Sequence, residues 1–135
     1  MLADDDASIE VWCGEEGVLA GAFNHGALAR ECSTLSHDWM IEFAGLARAK
    51  GMRPVDCPVT GLPDAAAAGK LTLLVGADKD DLEAAQPFLD AVSNNIVHFG
   101  PVGAGTAYKL MINLMGAVQI AAAAEGLLIA EKAGL

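Results

Sequence analysis

The chain has 135 residues, of which 53% are hydrophobic, and carries 8 basic against 18 acidic side chains for a formal net charge of -10. That length suffices for one domain with a real core, and the apolar share excludes a disordered chain. The acid excess excludes a binder of nucleic-acid backbone, which needs a basic patch, but leaves a nucleotide cofactor open, because helix N-termini hold phosphate through backbone amides.

In chain order, Asp4 to Glu16 reads as a helix, acidic at its front and ending near Gly17. Residues 17–27 read as a connection, and Leu28 to Cys32 as a short strand closed by Ser33-Thr34. Ser36 is an N-cap for a helix carrying Trp39, Met40, Phe43, Leu46 and Ala47 on one side, stopped by Gly51. Met52 to Cys57 reads as a strand in spite of Pro54. Residues 58–69 are irregular, with a short alanine-rich helix at 63–68. Leu71 to Val75 is the clearest strand, Asp80 to Val92 a helix, and Asn95 to Phe99 another strand. From Gly103 onward the sequence reads as one helix of some 30 residues, on the order of 45 Å. Alternating helices and strands imply an α/β sheet.

The three cysteines, Cys13, Cys32 and Cys57, match no zinc or C-x-x-C spacing and read as reduced, mostly buried thiols of a cytoplasmic protein. His25, His37 and His98 stand far apart, and the Asp4-Asp5-Asp6 run has no further ligands spaced around it, so no metal site is expected. Met1 is followed by no basic region of a signal peptide. The apolar run Leu110 to Ala130 is long enough to raise the membrane question. Its Asn113, Gln119 and Glu125 favour instead a buried helix of a soluble protein.

Gly100, Gly103 and Gly105 open the last helix, but their order is wrong for a G-x-G-x-x-G phosphate loop, and a tight turn with close backbone approach is favoured. Lys109 and Asn113 follow one turn apart on one helix face. A lysine on an oily helix needs a reason, and proton transfer is one. Ser33-Thr34 and Thr60-Gly61 each follow a strand, where open α/β sheets bind ligands, although each taken alone is an ordinary turn or cap.

Five stretches in this order resemble the β-hydroxyacid dehydrogenases, among them 3-hydroxyisobutyrate dehydrogenase and tartronate semialdehyde reductase. They are Met1 to Ala7, Glu31-Cys-Ser-Thr-Leu-Ser-His-Asp38, Asp56-Cys-Pro-Val-Thr-Gly61, Gly69 to Asp78, and Asn95 through Gly-Pro-Val-Gly-Ala-Gly-Thr-Ala-Tyr-Lys109 to Asn113. The resemblance covers essentially the whole chain. It implies the C-terminal part of a Rossmann-type NAD(P)-binding domain over 1–102, leading into a long interdomain α-helix over 103–135, in a chain that is a central piece of a longer enzyme. The first βαβ unit and its phosphate loop are then missing, and the chain by itself is expected to be inactive and to bind cofactor weakly.

On the same resemblance Lys109 is the catalytic acid/base, Asn113 contacts substrate, and Ser33 and Thr34 lie near the nicotinamide ribose of NAD or NADP. Thr60, Gly61 and Leu62 match a Ser-Gly-Gly loop that holds the substrate carboxylate; Thr60 adds a methyl and Leu62 adds bulk where the family has glycine. The implied activity is hydride transfer between the cofactor and a small β-hydroxyacid, in a cytoplasmic homo-oligomer with no membrane or nucleic-acid partner. A 6-phosphogluconate dehydrogenase-like enzyme is the nearer alternative, though Ile112 and Gly116 stand where those enzymes carry histidine and glutamate. A non-catalytic binding or assembly module is the alternative from another class.

Overall fold

The computed structural model describes residues 1–135. Helix α1 (Asp5–Cys13) is capped by Asp4, whose carboxylate accepts the Ala7 N–H at 2.9 Å. A single turn of 3-10 helix, Val18–Ala20, lies in the stretch read as a plain connection. Then come β1 (Leu28–Glu31), α2 (His37–Ala49), β2 (Arg53–Asp56), β3 (Val59–Thr60), α3 (Pro63–Ala67), β4 (Leu71–Gly76), α4 (Lys79–Val92), β5 (Ser93–Gly100) and α5 (Ala104–Lys132). Ser36 caps α2 as the sequence predicts, accepting the Trp39 N–H.

The sheet is mixed. β1 runs parallel to β2, with Glu31 opposite Asp56, and β4 runs parallel to β5. Between them β2 and β3 pair antiparallel with β4 in one continuous register, Asp56 opposite Gly76 and Val59 opposite Leu73. β3 is the strand absent from the sequence reading. Pro58 interrupts the run because it has no N–H to give, yet its carbonyl still accepts the Leu74 N–H at 2.9 Å, which keeps the register. β1 pairs on one side only and forms an edge of the sheet.

Successive strand residues face opposite sides of a sheet, and each side here has its own core. One is built on Trp12, Trp39, Met40, Phe43 and Ala29 under α1 and α2. The other joins Val55, Cys57, Leu73 and Val75 to Ala85 and Leu89 of α4. Phe43 is fully buried and sits between the two indoles, 4.5 Å from Trp12 and 6.2 Å from Trp39, in the tilted geometry that aromatic pairs prefer. Helices on both faces of the sheet make this a three-layer α/β Rossmann-type fold.

The apolar helix at the end is α5, and it is not buried as the sequence suggested. Only Gly105 and Thr106 within it are buried; Leu114, Met115, Val118, Ile120, Leu127 and Ile129 are exposed. The reason is reach. Its first turns pack on β4 and β5, and nothing else in the chain extends beside the rest. By length and composition α5 could cross a membrane, with no part of its most apolar stretch buried. The cysteine expectation also needs correction: Cys13 is exposed, Cys32 partly exposed, and only Cys57 buried.

Candidate active site

Lys109 lies on the second turn of α5, so whatever fixes the start of α5 fixes Lys109. The helix begins at Gly103, which adopts φ +95, a left-handed conformation that glycine enters without penalty. No side chain from α5 or its own turn caps it. The cap comes from β2 instead. Asp56 accepts the N–H groups of Gly103 at 3.0 Å and Thr106 at 2.9 Å, and the Thr106 hydroxyl at 2.6 Å. A carboxylate at a helix N-terminus satisfies orphan donors and meets the positive end of the dipole. Asp56 is fully buried, and burial pushes its pKa up against the lowering effect of these hydrogen bonds. Gly105 lets the helix touch the sheet: a Cβ there would lie 2.1 Å from the Leu74 carbonyl oxygen. The close backbone approach read from the glycines is therefore present.

Glu31, one strand over, organises the other half. It accepts Ser8 Oγ at 3.0 Å, Trp12 Nε1 at 2.8 Å and the Ser33 N–H at 2.8 Å, while Trp39 Nε1 donates to Ser8. Burial works to raise the Glu31 pKa, but the hydrogen bonds from Ser33, Trp12 and Ser8 outweigh it and hold the carboxyl below its ordinary value. Ser33 is thereby locked and buried, its hydroxyl accepting the Leu2 N–H at 2.7 Å. Thr34, the next residue, is exposed.

Thr34 opens onto a cleft of about 540 Å³, together with Ala3 to Asp6, Leu35, Ser36 and Leu110 of α5. Of this part of α5 only Leu110 lines the cleft; Lys109 and Asn113 lie one turn apart on the same helix. Lys109 is half-buried and Asn113 exposed, and neither lines a cavity itself. The structure thus brings Thr34 and the start of α5 to one cleft.

Thr60, Gly61 and Leu62 do not line that cleft. Thr60 pairs with Thr72 at the far end of β3. Gly61 turns at φ +138, and Leu62 stands 77% exposed at the start of α3. Bulk at Leu62 therefore meets solvent within this chain.

The cleft fits one end of a dinucleotide better than the other. Thr34 and Ser36 offer hydroxyls, and Leu35 and Leu110 apolar walls, suited to a ribose and a nicotinamide ring. Asp4, Asp5 and Asp6 line the same space, and no basic side chain does, which is wrong for a pyrophosphate. No cluster of three or more His, Cys, Asp or Glu side chains is arranged to hold a metal ion.

Asp56, Glu31 and Thr106 were not singled out as site residues from sequence. The available signal was an acidic residue ending each of two strands, directly before a Cys-Ser or Cys-Pro step.

A three-layer α/β sheet with its cleft beyond the end of a parallel strand defines a dinucleotide-binding domain of the Rossmann class. Comparison with known proteins makes the assignment narrower. The family described as the NAD binding domain of 6-phosphogluconate dehydrogenase matches residues 1–100. The chain is 37% identical over 125 residues to the NAD-dependent L-serine dehydrogenase of Pseudomonas aeruginosa, covering 93% of this chain and 42% of that protein. It is 38% identical over 122 residues to 2-(hydroxymethyl)glutarate dehydrogenase of Eubacterium barkeri, covering 90% of this chain and 40% of that one. The structure of Mycobacterium tuberculosis 3-hydroxyisobutyrate dehydrogenase with L-serine superposes with a TM-score of 0.87 at 38% identity, over all of this chain and 45% of that one. The chain belongs to the 3-hydroxyisobutyrate dehydrogenase family, within its NAD(P)-binding part, and spans less than half the length of these relatives.

Proposed function

We propose that the protein bearing this sequence transfers hydride between NAD or NADP and a small β-hydroxyacid, with Lys109 as general acid and base. The observation that supports this reading is that α5, which carries Lys109 and Asn113 one turn apart, reaches the cleft shared with Thr34 through Leu110. The cofactor, when bound, supplies or accepts the hydride. Lys109 moves the proton. In reduction its ammonium gives a proton to the carbonyl oxygen, and in oxidation its amine takes one from the hydroxyl. Asn113, one turn on, can donate its amide to the same oxygen or its neighbour. By resemblance Thr60, Gly61 and Leu62 are assigned to the substrate carboxylate and Ser33 and Thr34 to the nicotinamide ribose; of these five only Thr34 lines the cleft. A relative named for L-serine and another solved with L-serine support a substrate of that size.

The test is turnover of the protein with Lys109→Ala and Lys109→Arg. Loss of general acid–base catalysis costs roughly 10²–10⁴-fold. Arginine keeps the charge but holds its proton at any working pH, so it should be as inactive as alanine. Near-normal turnover in either variant would sink the reading. A non-catalytic assembly module is the second reading, favoured by the exposed Leu62 and the bare apolar flank of α5. It predicts no turnover in the unaltered protein with any hydroxyacid.

A further inference from the structure

We propose that Cys32 and Cys57 form a redox-modifiable pair, which closes to an intramolecular disulfide when a hydroperoxide reaches Cys32. The two residues follow Glu31 and Asp56, which face each other across the parallel β1–β2 ladder. The Cys57 N–H donates to the Glu31 carbonyl at 2.9 Å, so the ladder continues to the cysteines. Their side chains point to the α4 side of the sheet, opposite the carboxylates before them. The two sulfurs lie 3.0 Å apart, in hydrogen-bond contact, as free thiols. Neighbouring strands are about 4.8 Å apart, inside the Cα separation of roughly 4.4–6.8 Å that a disulfide spans. Closing the bond therefore asks for about 1 Å of sulfur movement and no change of register.

The roles of the two sulfurs differ. Cys32 follows the edge strand β1 and is partly exposed, which gives a small oxidant a way in, whereas Cys57 is buried. The hydrogen bond from Cys57 stabilises a Cys32 thiolate and outweighs burial and the nearby Glu31, with Arg30 assisting. The same contact, with burial, holds the Cys57 proton on. The thiolate is the nucleophile in such chemistry. Cys32 attacks the peroxide oxygen, the O–O bond breaks, and the leaving oxygen departs as water or alcohol after taking a proton. Cys32 is then a sulfenic acid. The Cys57 sulfur attacks it, the S–O bond breaks, and a second water carries off the hydroxyl with the Cys57 proton. Two thiols are oxidised by two electrons and one peroxide is reduced by two.

The bond would sit one residue from Ser33 and three from Thr60. Its influence on the cofactor edge rests on the function proposed above; its formation does not.

The experiment uses the chain with Cys13→Ser, which removes the exposed thiol and its intermolecular products. The folded protein is treated with hydrogen peroxide, denatured into N-ethylmaleimide, digested without reductant and analysed by mass spectrometry. The expected result is a peptide carrying Cys32 joined to one carrying Cys57 in monomeric protein, both unlabelled, with label restored by reductant. Adding Cys57→Ser should leave a Cys32 sulfenic acid that dimedone traps. The proposal is overturned if both cysteines take label after peroxide. It is equally overturned if Cys32 oxidises while Cys57 stays free, or if the joined peptide occurs only in dimers.

Discussion

Asp56 holds Thr106 by two hydrogen bonds, one from its backbone N–H at 2.9 Å and one from its hydroxyl at 2.6 Å, across 50 residues of chain. A helix that follows a glycine turn has no cap of its own, and a strand-borne carboxylate supplies it. Sequence-distant capping of this kind ties the angle of α5 to the sheet, and so fixes where Lys109 stands relative to it.

Replacing Thr106 by valine keeps the shape and removes the hydroxyl. One short hydrogen bond to a buried carboxylate is lost, which costs about 1.5–3 kcal/mol. Urea unfolding should show the midpoint falling with an unchanged slope. An unchanged midpoint would mean that the hydroxyl bond adds nothing to the fold.

The relationship also shows what could be read from sequence. Local rules found every α-helix and four of five strands, because caps such as Ser36 and Asp4 and the apolar face of α2 announce themselves within one turn of chain. β3 escaped because two residues after a proline carry no periodicity; only the partner strand shows them to be extended. Lys109 and Asn113 were legible as a pair on one face. Asp56 and Glu31 were not, since an acidic residue at a strand end says nothing about which distant amides it will meet. The exposure of α5 was misjudged for a related reason: apolar composition records what a helix can bury, not what is present to bury it.

Gly105 and Gly116 lie on the same helix and should respond oppositely to alanine. A Cβ at Gly105 would stand 2.1 Å from the Leu74 carbonyl, whereas at Gly116 it meets nothing within 4 Å. Gly105→Ala forces α5 off β4, an overpacking that costs on the order of 1–3 kcal/mol. Gly116→Ala removes backbone entropy from the unfolded chain and should stabilise by roughly 0.5–1 kcal/mol. Thermal unfolding of both variants in the 135-residue chain decides this; equal shifts would show that the helix is free to lift from the sheet.

Glu31 and Asp56 should leave opposite marks on stability in acid. The Glu31 pKa is held below its ordinary 4.5, so the folded state favours the ion. That stability is fully present above pH 4.5 and is lost as pH falls through the folded value. The Asp56 pKa is raised above its ordinary 3.8 by burial, so ionisation costs stability above the folded value, and the cost disappears as pH falls below 3.8. Glu31→Gln should therefore destabilise most near neutrality, with the gap to the unaltered chain narrowing in acid. Asp56→Asn should make the acid decline steeper than in the unaltered chain. Denaturant midpoints taken from about pH 7 to about pH 3 would measure both; parallel pH profiles for all three proteins would refute the assignment.

Cofactor affinity of the 135-residue chain should be low. A pyrophosphate brings two negative charges, and the cleft meets it with Asp4, Asp5 and Asp6 and no lysine or arginine. Two of those carboxylates are occupied, Asp4 with the Ala7 N–H and Asp5 with the Ser36 N–H at 2.8 Å, which leaves Asp6 exposed to the cleft. The sequence contains no G-x-G-x-x-G turn whose amides could replace them. Hydroxyls on Thr34 and Ser36 can still receive a ribose, so residual binding should be weaker than a dissociation constant of about 1 mM, equivalent to roughly -4 kcal/mol. Calorimetric titration with NADH and NADPH measures it directly. Asp6→Asn should strengthen the signal, and added salt should narrow the difference between variant and parent because the repulsion is exposed to solvent. Micromolar binding to the unaltered chain, insensitive to Asp6→Asn, would show that the phosphates are held somewhere other than this cleft.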